Sequence, residues 1–136
     1  MKWRLDTEVV PALSKPTRSP QLVAWLNQHA DEAALSVVTL GELAFGVQTA
    51  GNEAAQRRLD GWLAQLRGQF SDAVLGIDEG TIIEWKTLLG ELKAKHRTIP
   101  CEDSLIAAVA RQHGLTIVIG KDKHFAHTGT RLLQLL

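Results

Sequence analysis

Apolar residues recur along this chain in two rhythms. Leu59, Trp62, Leu63 and Leu66 follow three- and four-residue spacing, with Arg57, Arg58, Asp60 and Gln65 between them, which predicts an amphipathic helix. Ile82, Trp85, Leu89 and Leu92 predict a second, ending in the basic run Lys93, Lys95, His96 and Arg97. Leu22, Trp25 and Leu26 mark a helix after a proline-bearing loop from Ser14 to Pro20. Leu40, Leu43 and Val47 mark another, beginning at Thr39 and broken at Gly51-Asn52. A shorter helix is expected from Thr7 or Glu8 to about Leu13. Between these lie short apolar runs that predict strands at residues 2–6, Ala33–Val38, Val74–Ile77, Leu115–Ile119 and Arg131–Leu135. Strands alternating with helices, and reading as continuous apolar runs, predict an α/β fold with a short central parallel sheet covered on both faces.

Within that pattern, Ile99 to Ala110 carries the most chemistry. Pro100 suits the first position of a helix, and Glu102 and Asp103 follow where the helix dipole favours negative charge. Asp103, Ile106, Ala107 and Ala110 share one face, so Asp103 heads a stripe that should turn inward. Burying a carboxylate is costly unless something compensates it, and a divalent cation held with other acids would do so. His113-Gly114 ends this helix.

Ligands of parallel α/β sheets bind beyond the carboxyl ends of the strands. Asp6, Glu42 and Asp103 each fall after a predicted strand or early in a helix, so all three are expected on one rim. Each also has a structural reading. Asp6 suits a helix N-cap. Thr39 and Glu42 fit a capping box, Thr39-Leu40-Gly41-Glu42. Asp103, like Glu102, suits the helix dipole. As a set, three carboxylates suit Mg²⁺ (or Mn²⁺), which can activate water and stabilise a phosphoryl transition state. His124 and His127 form a His-x-x-His pair without a nearby thiolate and are expected at the surface or against phosphate. Lys121, Lys123 and Arg131 are candidates for attracting phosphate, with a plain solvated surface as the structural reading, and the same holds for Lys93 to Arg97.

Composition narrows the options. At 136 residues and 45% hydrophobic, one domain spanning 1–136 is expected. Cys101 is the sole cysteine, which excludes an internal disulfide framework and a thiolate zinc site. The charged start and the lack of a long apolar run predict no signal peptide and no membrane span, with the cytoplasm as default. Formal net charge is zero, so any contact with nucleic acid must rest on local patches or a metal. No Gly-x-Gly-x-x-Gly and no P-loop is present, which argues against a nucleotide cofactor. Trp25, Trp62 and Trp85 sit on helical stripes and read as core or dimer contacts, not as platforms for bases.

Leu5-Asp6-Thr7, Leu35 to Leu43, Pro100 to Ala108, His113-Gly114-Leu115-Thr116, and Phe125 to Gly129 with Leu132-Leu133 together resemble PIN-domain proteins, specifically VapC-type toxins of type II toxin–antitoxin pairs. The resemblance implies a three-layer α/β/α sandwich, Mg²⁺- or Mn²⁺-dependent endoribonuclease activity, a homodimer, and a small antitoxin covering the acidic pocket. It places Asp6, Glu42 and Asp103 at the metal, with Thr7, Glu8 and Thr39 in support, and Lys121 and Lys123 against RNA phosphate. Ile119, Lys121 and His124 stand where the family shows Thr or Ser, then Asp or Asn, then Asp; Asp122 is displaced by one position as a candidate fourth ligand. Glu8 stands where the family shows Asn. Two alternatives follow: a PIN-like module without catalysis that binds an antitoxin or nucleic acid, and a small haloacid-dehalogenase-like phosphatase, echoed by Asp6-Thr7-Glu8 and a late Gly-Lys-Asp.

Overall fold

A computed structural model describes residues 3–5, 10, 20–120 and 124–135. The helix expected from residue 7 or 8 to 13 lies outside them, apart from Val10, which is buried. Five strands form one parallel sheet: β1 (Trp3–Leu5), β2 (Ala33–Ser36), β3 (Val74–Leu75), β4 (Thr116–Ile119) and β5 (Leu132–Gln134). Their order is β3-β2-β1-β4-β5. The first strand is central, with Trp3 opposite both Ala33 of β2 and Thr116 of β4.

Among the described residues, five α-helices cover the sheet: α1 (Pro20–His29), α2 (Val37–Gln48), α3 (Glu53–Gln69), α4 (Glu79–Ala94) and α5 (Cys101–His113). The strand period of two sends alternate residues to opposite faces. Ala34, Ile117 and Ile119 join one core with Leu88 and Leu92 of α4 and Ile106, Ala107, Val109 and Ala110 of α5. Ala33, Leu35 and Val118 join the other, with Leu22 of α1, Leu43 of α2, and Leu63 and Leu66 of α3. The expected three-layer α/β/α sandwich is therefore the observed architecture. No helix among the described residues is long and apolar enough to cross a membrane.

Among the described residues the other expected elements are present, with β2 to β5 shorter than the runs that predict them. The run Ala33–Val38 is strand only to Ser36, because the Ser36 hydroxyl accepts the Thr39 amide at 3.2 Å and caps a helix beginning at Val37. Thr39 therefore lies inside α2, and the capping box expected for Thr39 and Glu42 does not form. Pro100 stands at the N-cap of α5 (φ −54°, ψ 145°) rather than inside its first turn. At the far end Gly114 adopts φ 66°, the left-handed conformation glycine takes without steric cost.

Polar contacts fasten α4 to α5. Asp78 caps α4 through Thr81, and Gln112 donates to the same carboxylate at 2.8 Å. The Thr81 amide, then Gln112, hold the Asp78 carboxyl below its usual range. Arg111 meets Glu84 at 2.8 Å and Glu91 at 2.5 Å, and donates to the Thr128 carbonyl at 3.2 Å. The hydrogen bond from Arg111, supported by its charge, lowers the Glu91 pKa from 4.5. Stability from this pair is present above that value and is lost as pH falls through the lowered pKa. Glu91→Gln is expected to destabilise the protein at neutral pH by less than about 1 kcal/mol, because the pair is partly exposed. Melting curves of the two proteins should converge in acid; an equal gap at neutral and acid pH would show that the carboxylate charge is irrelevant.

Candidate active site

Because the strands are parallel, their carboxyl ends share one rim. β2 passes directly into α2, which puts the start of α2 there. α5 turns through Gly114 into β4 while packing along the sheet, so it runs against the strands and its first turn reaches the same rim. Asp103 sits in that turn with 20% of its side chain exposed, above fully buried Ile106, Ala107 and Ala110. The inward stripe read from the sequence is thus real.

The Asp103 carboxylate has a partner the sequence did not reveal. His124 Nδ1 lies 2.5 Å from Asp103 Oδ2. The expectation of a surface or phosphate-contacting histidine is corrected: His124, just beyond β4, is 35% exposed and directed at the acid. Twenty residues separate the two in sequence, and only the return of α5 into β4 brings them together; no local spacing signals it. The preceding helix steadies the same turn. Trp85 Nε1 donates to Ser104 Oγ at 2.8 Å, and the Ser104 hydroxyl donates to the Cys101 carbonyl at 2.6 Å. Trp85 is thereby a half-buried strut. Trp25 stacks on His29 at 4.5 Å and meets Trp3 edge-on, so it too is packed rather than offered to a base.

Glu42 is half-buried on α2, and α2 packs against α5. Thr39 is fully buried. Among the described residues, no three His, Cys, Asp or Glu side chains form a set able to hold a metal ion. Asp6, Thr7, Glu8, Lys121, Asp122 and Lys123 lie outside the described residues. The donors in view are carboxylate oxygens beside one imidazole. That chemistry fits Mg²⁺ or Mn²⁺, since Mg²⁺ is commonly held by one or two carboxylates and completes its shell with water and phosphate oxygens.

The PIN domain model matches residues 5–130. This chain belongs to the PIN-domain family. Ribonuclease VapC4 of Mycobacterium tuberculosis is 47% identical over 88 residues, covering 64% of this chain and 65% of that protein, just under two thirds of its length. Toxin FitB of Neisseria gonorrhoeae is 30% identical over 115 residues, 83% of each chain. Among solved structures, FitAcB from Neisseria gonorrhoeae superposes with a TM-score of 0.88 at 27% identity, covering 96% of both chains. DNA-bound VapBC from Salmonella typhimurium shares the fold, with a TM-score of 0.89 at 23% identity, 100% of this chain and 99% of that one. Membership of the PIN family removes the phosphatase alternative, whose support was a short acidic echo around Asp6.

Proposed function

We infer that this PIN domain, spanning residues 1–136, is the ribonuclease toxin of a toxin–antitoxin pair. The observation that carries the reading is a half-buried Asp103 held on the sheet rim of a PIN domain whose relatives bear the names ribonuclease and toxin. Asp103 and Glu42, with Asp6 and Asp122, would hold Mg²⁺ or Mn²⁺. When bound, that ion supplies an activated water and neutralises charge developing on an RNA phosphate. His124 steadies the Asp103 carboxylate, Thr39 and Ser36 fix the start of the helix bearing Glu42, and Thr7 and Glu8 support Asp6. Lys121 and Lys123 balance the charge of the RNA.

The partners are RNA, a cognate antitoxin and a second copy of the chain, in the cytoplasm. Exposed Phe45 on α2 and Ile82 and Ile83 on α4 supply apolar surface suited to the protein contacts. Purified protein is expected to cut single-stranded RNA with Mg²⁺ or Mn²⁺ and to stop when the ion is chelated. Cutting that persists in excess chelator rejects the metal-dependent reading. A second reading, a binding module without catalysis, draws on Ile119, a 2%-exposed apolar residue at a position where the family shows Thr or Ser. Calorimetry separates the two: absence of Mn²⁺ uptake at millimolar concentration, with partner binding intact, favours the second.

A further inference from the structure

The basic run after α4 borders a groove of about 400 Å³, lined by Leu89, Leu92, Lys93, His96, Arg97 and Ile99 together with Thr98. Its floor is apolar, its rim carries two full positive charges and an imidazole, and its lining holds no carboxylate. None of Lys93, His96 and Arg97 makes an ion pair among the described residues. Lys93 lies in the last turn of α4, where the helix dipole accounts for a cation. That account does not reach Arg97, which stands beyond the Lys95 cap. The backbone there is shaped by His96, the one non-glycine residue at positive φ (55°) among the described residues. It turns the chain so that Arg97 N–H donates to the Leu92 carbonyl at 2.9 Å.

Two connections set this groove beside the acid rim. Ile99, part of its lining, is separated from the first residue of α5 by Pro100 alone, and Asp103 lies in the opening turn. Lys95 Nζ donates to the His127 carbonyl at 3.3 Å, on the loop that also carries His124. A chain with zero net charge needs a local concentration of cations to draw a polyanion to its site.

We propose that the Lys93–Arg97 groove holds the sugar–phosphate backbone of single-stranded RNA next to the nucleotide being cut. Lys93 and Arg97 meet phosphates, and a ribose or base rests on the partly exposed Leu89 and Ile99, above buried Leu92. Single-stranded RNA fits because its bases can splay out of stacking onto an apolar floor, which a duplex cannot offer. The proposal rests on the nuclease reading and names where its substrate lies.

The test is fluorescence anisotropy of a labelled single-stranded RNA, with EDTA present so that RNA is bound but not cut. The double variant Lys93→Gln/Arg97→Gln is compared with the parent protein across a salt series. Each phosphate contact on single strands contributes about 0.7 to the slope of log K against log salt. The double variant is therefore expected to lose about 1.4 from the slope and to bind several-fold more weakly at low salt. The control Arg58→Gln/Arg67→Gln, two exposed positions on α3, removes the same charge and should leave the slope unchanged. Equal slopes for the groove variant and the parent overturn the proposal, as does an equal loss in the α3 control. So does weakened binding of an acidic peptide with RNA binding intact. If the parent cuts RNA while the groove variant binds it normally, the groove fails and the nuclease reading stands. If the parent cuts no RNA under any divalent ion, the nuclease reading fails.

Discussion

Asp103→Asn is expected to reduce RNA cleavage by more than about 100-fold, since losing even an outer partner of a metal ligand commonly costs about 10–100-fold. The substitution keeps shape and removes charge. The Asn amide still fits the first turn of α5, where Glu102 remains to face the helix dipole, so stability should change by under about 1 kcal/mol. Single-turnover cleavage with Mn²⁺ gives the rate, and a circular dichroism melt shows whether the fold survives. A folded Asp103→Asn protein that cuts within about tenfold of the parent would remove Asp103 from the site. His124→Ala should fall between the two, because the imidazole acts on the carboxylate and not on RNA. An unchanged rate there would reduce the 2.5 Å contact to packing.

Ile106→Ala is expected to be the most damaging core substitution on this helix. Ile106 has no exposed surface and packs among Leu88, Leu92, Val109, Ile117 and Phe125. Truncating a buried Ile to Ala costs roughly 2–5 kcal/mol, from lost transfer energy and from the cavity left behind. The small Ala107 and Ala110 beside it have no long side chains with which to fill that space. Urea unfolding should give a lower midpoint with an unchanged slope. A loss below about 1 kcal/mol would mean that the two layers can close over the gap.

How legible these features were in the sequence follows from how far apart their causes lie. α3 declared itself because one face repeats Leu or Trp at helical spacing, and burial follows that face through Leu63 and Leu66. α4 showed the same rhythm, but its buried residues are Thr81, Leu88 and Leu92, and Ile82 of the expected stripe is 40% exposed. The end of β2 was misplaced because Val37 and Val38 prolong a β-branched run. Only the hydrogen bond from the Thr39 amide to Ser36 shows that the helix has begun. That correction bears on function: with Ser36 as cap, Glu42 is no longer needed at the helix start. Asp103 could be picked out because its companions Ile106, Ala107 and Ala110 are apolar. Its contact with His124 could not, because it depends on where the loop after β4 falls once the sheet exists. The Gln112 bridge to Asp78 was hidden for the same reason.

The sheet order has a consequence for how the molecule comes into being. Of the five described strands the middle one is made before the others, yet one of its neighbours, β4, follows β2, β3 and all five described α-helices. A ribosome-bound chain can pair β1 with β2 and β2 with β3 early, but it lacks α5 and the loop bearing His124 until those later segments have emerged. Contacts so distant along a polymer form slowly. On the nuclease reading proposed above, the acid site is incomplete until those later segments are made, leaving an interval in which a partner can already be waiting.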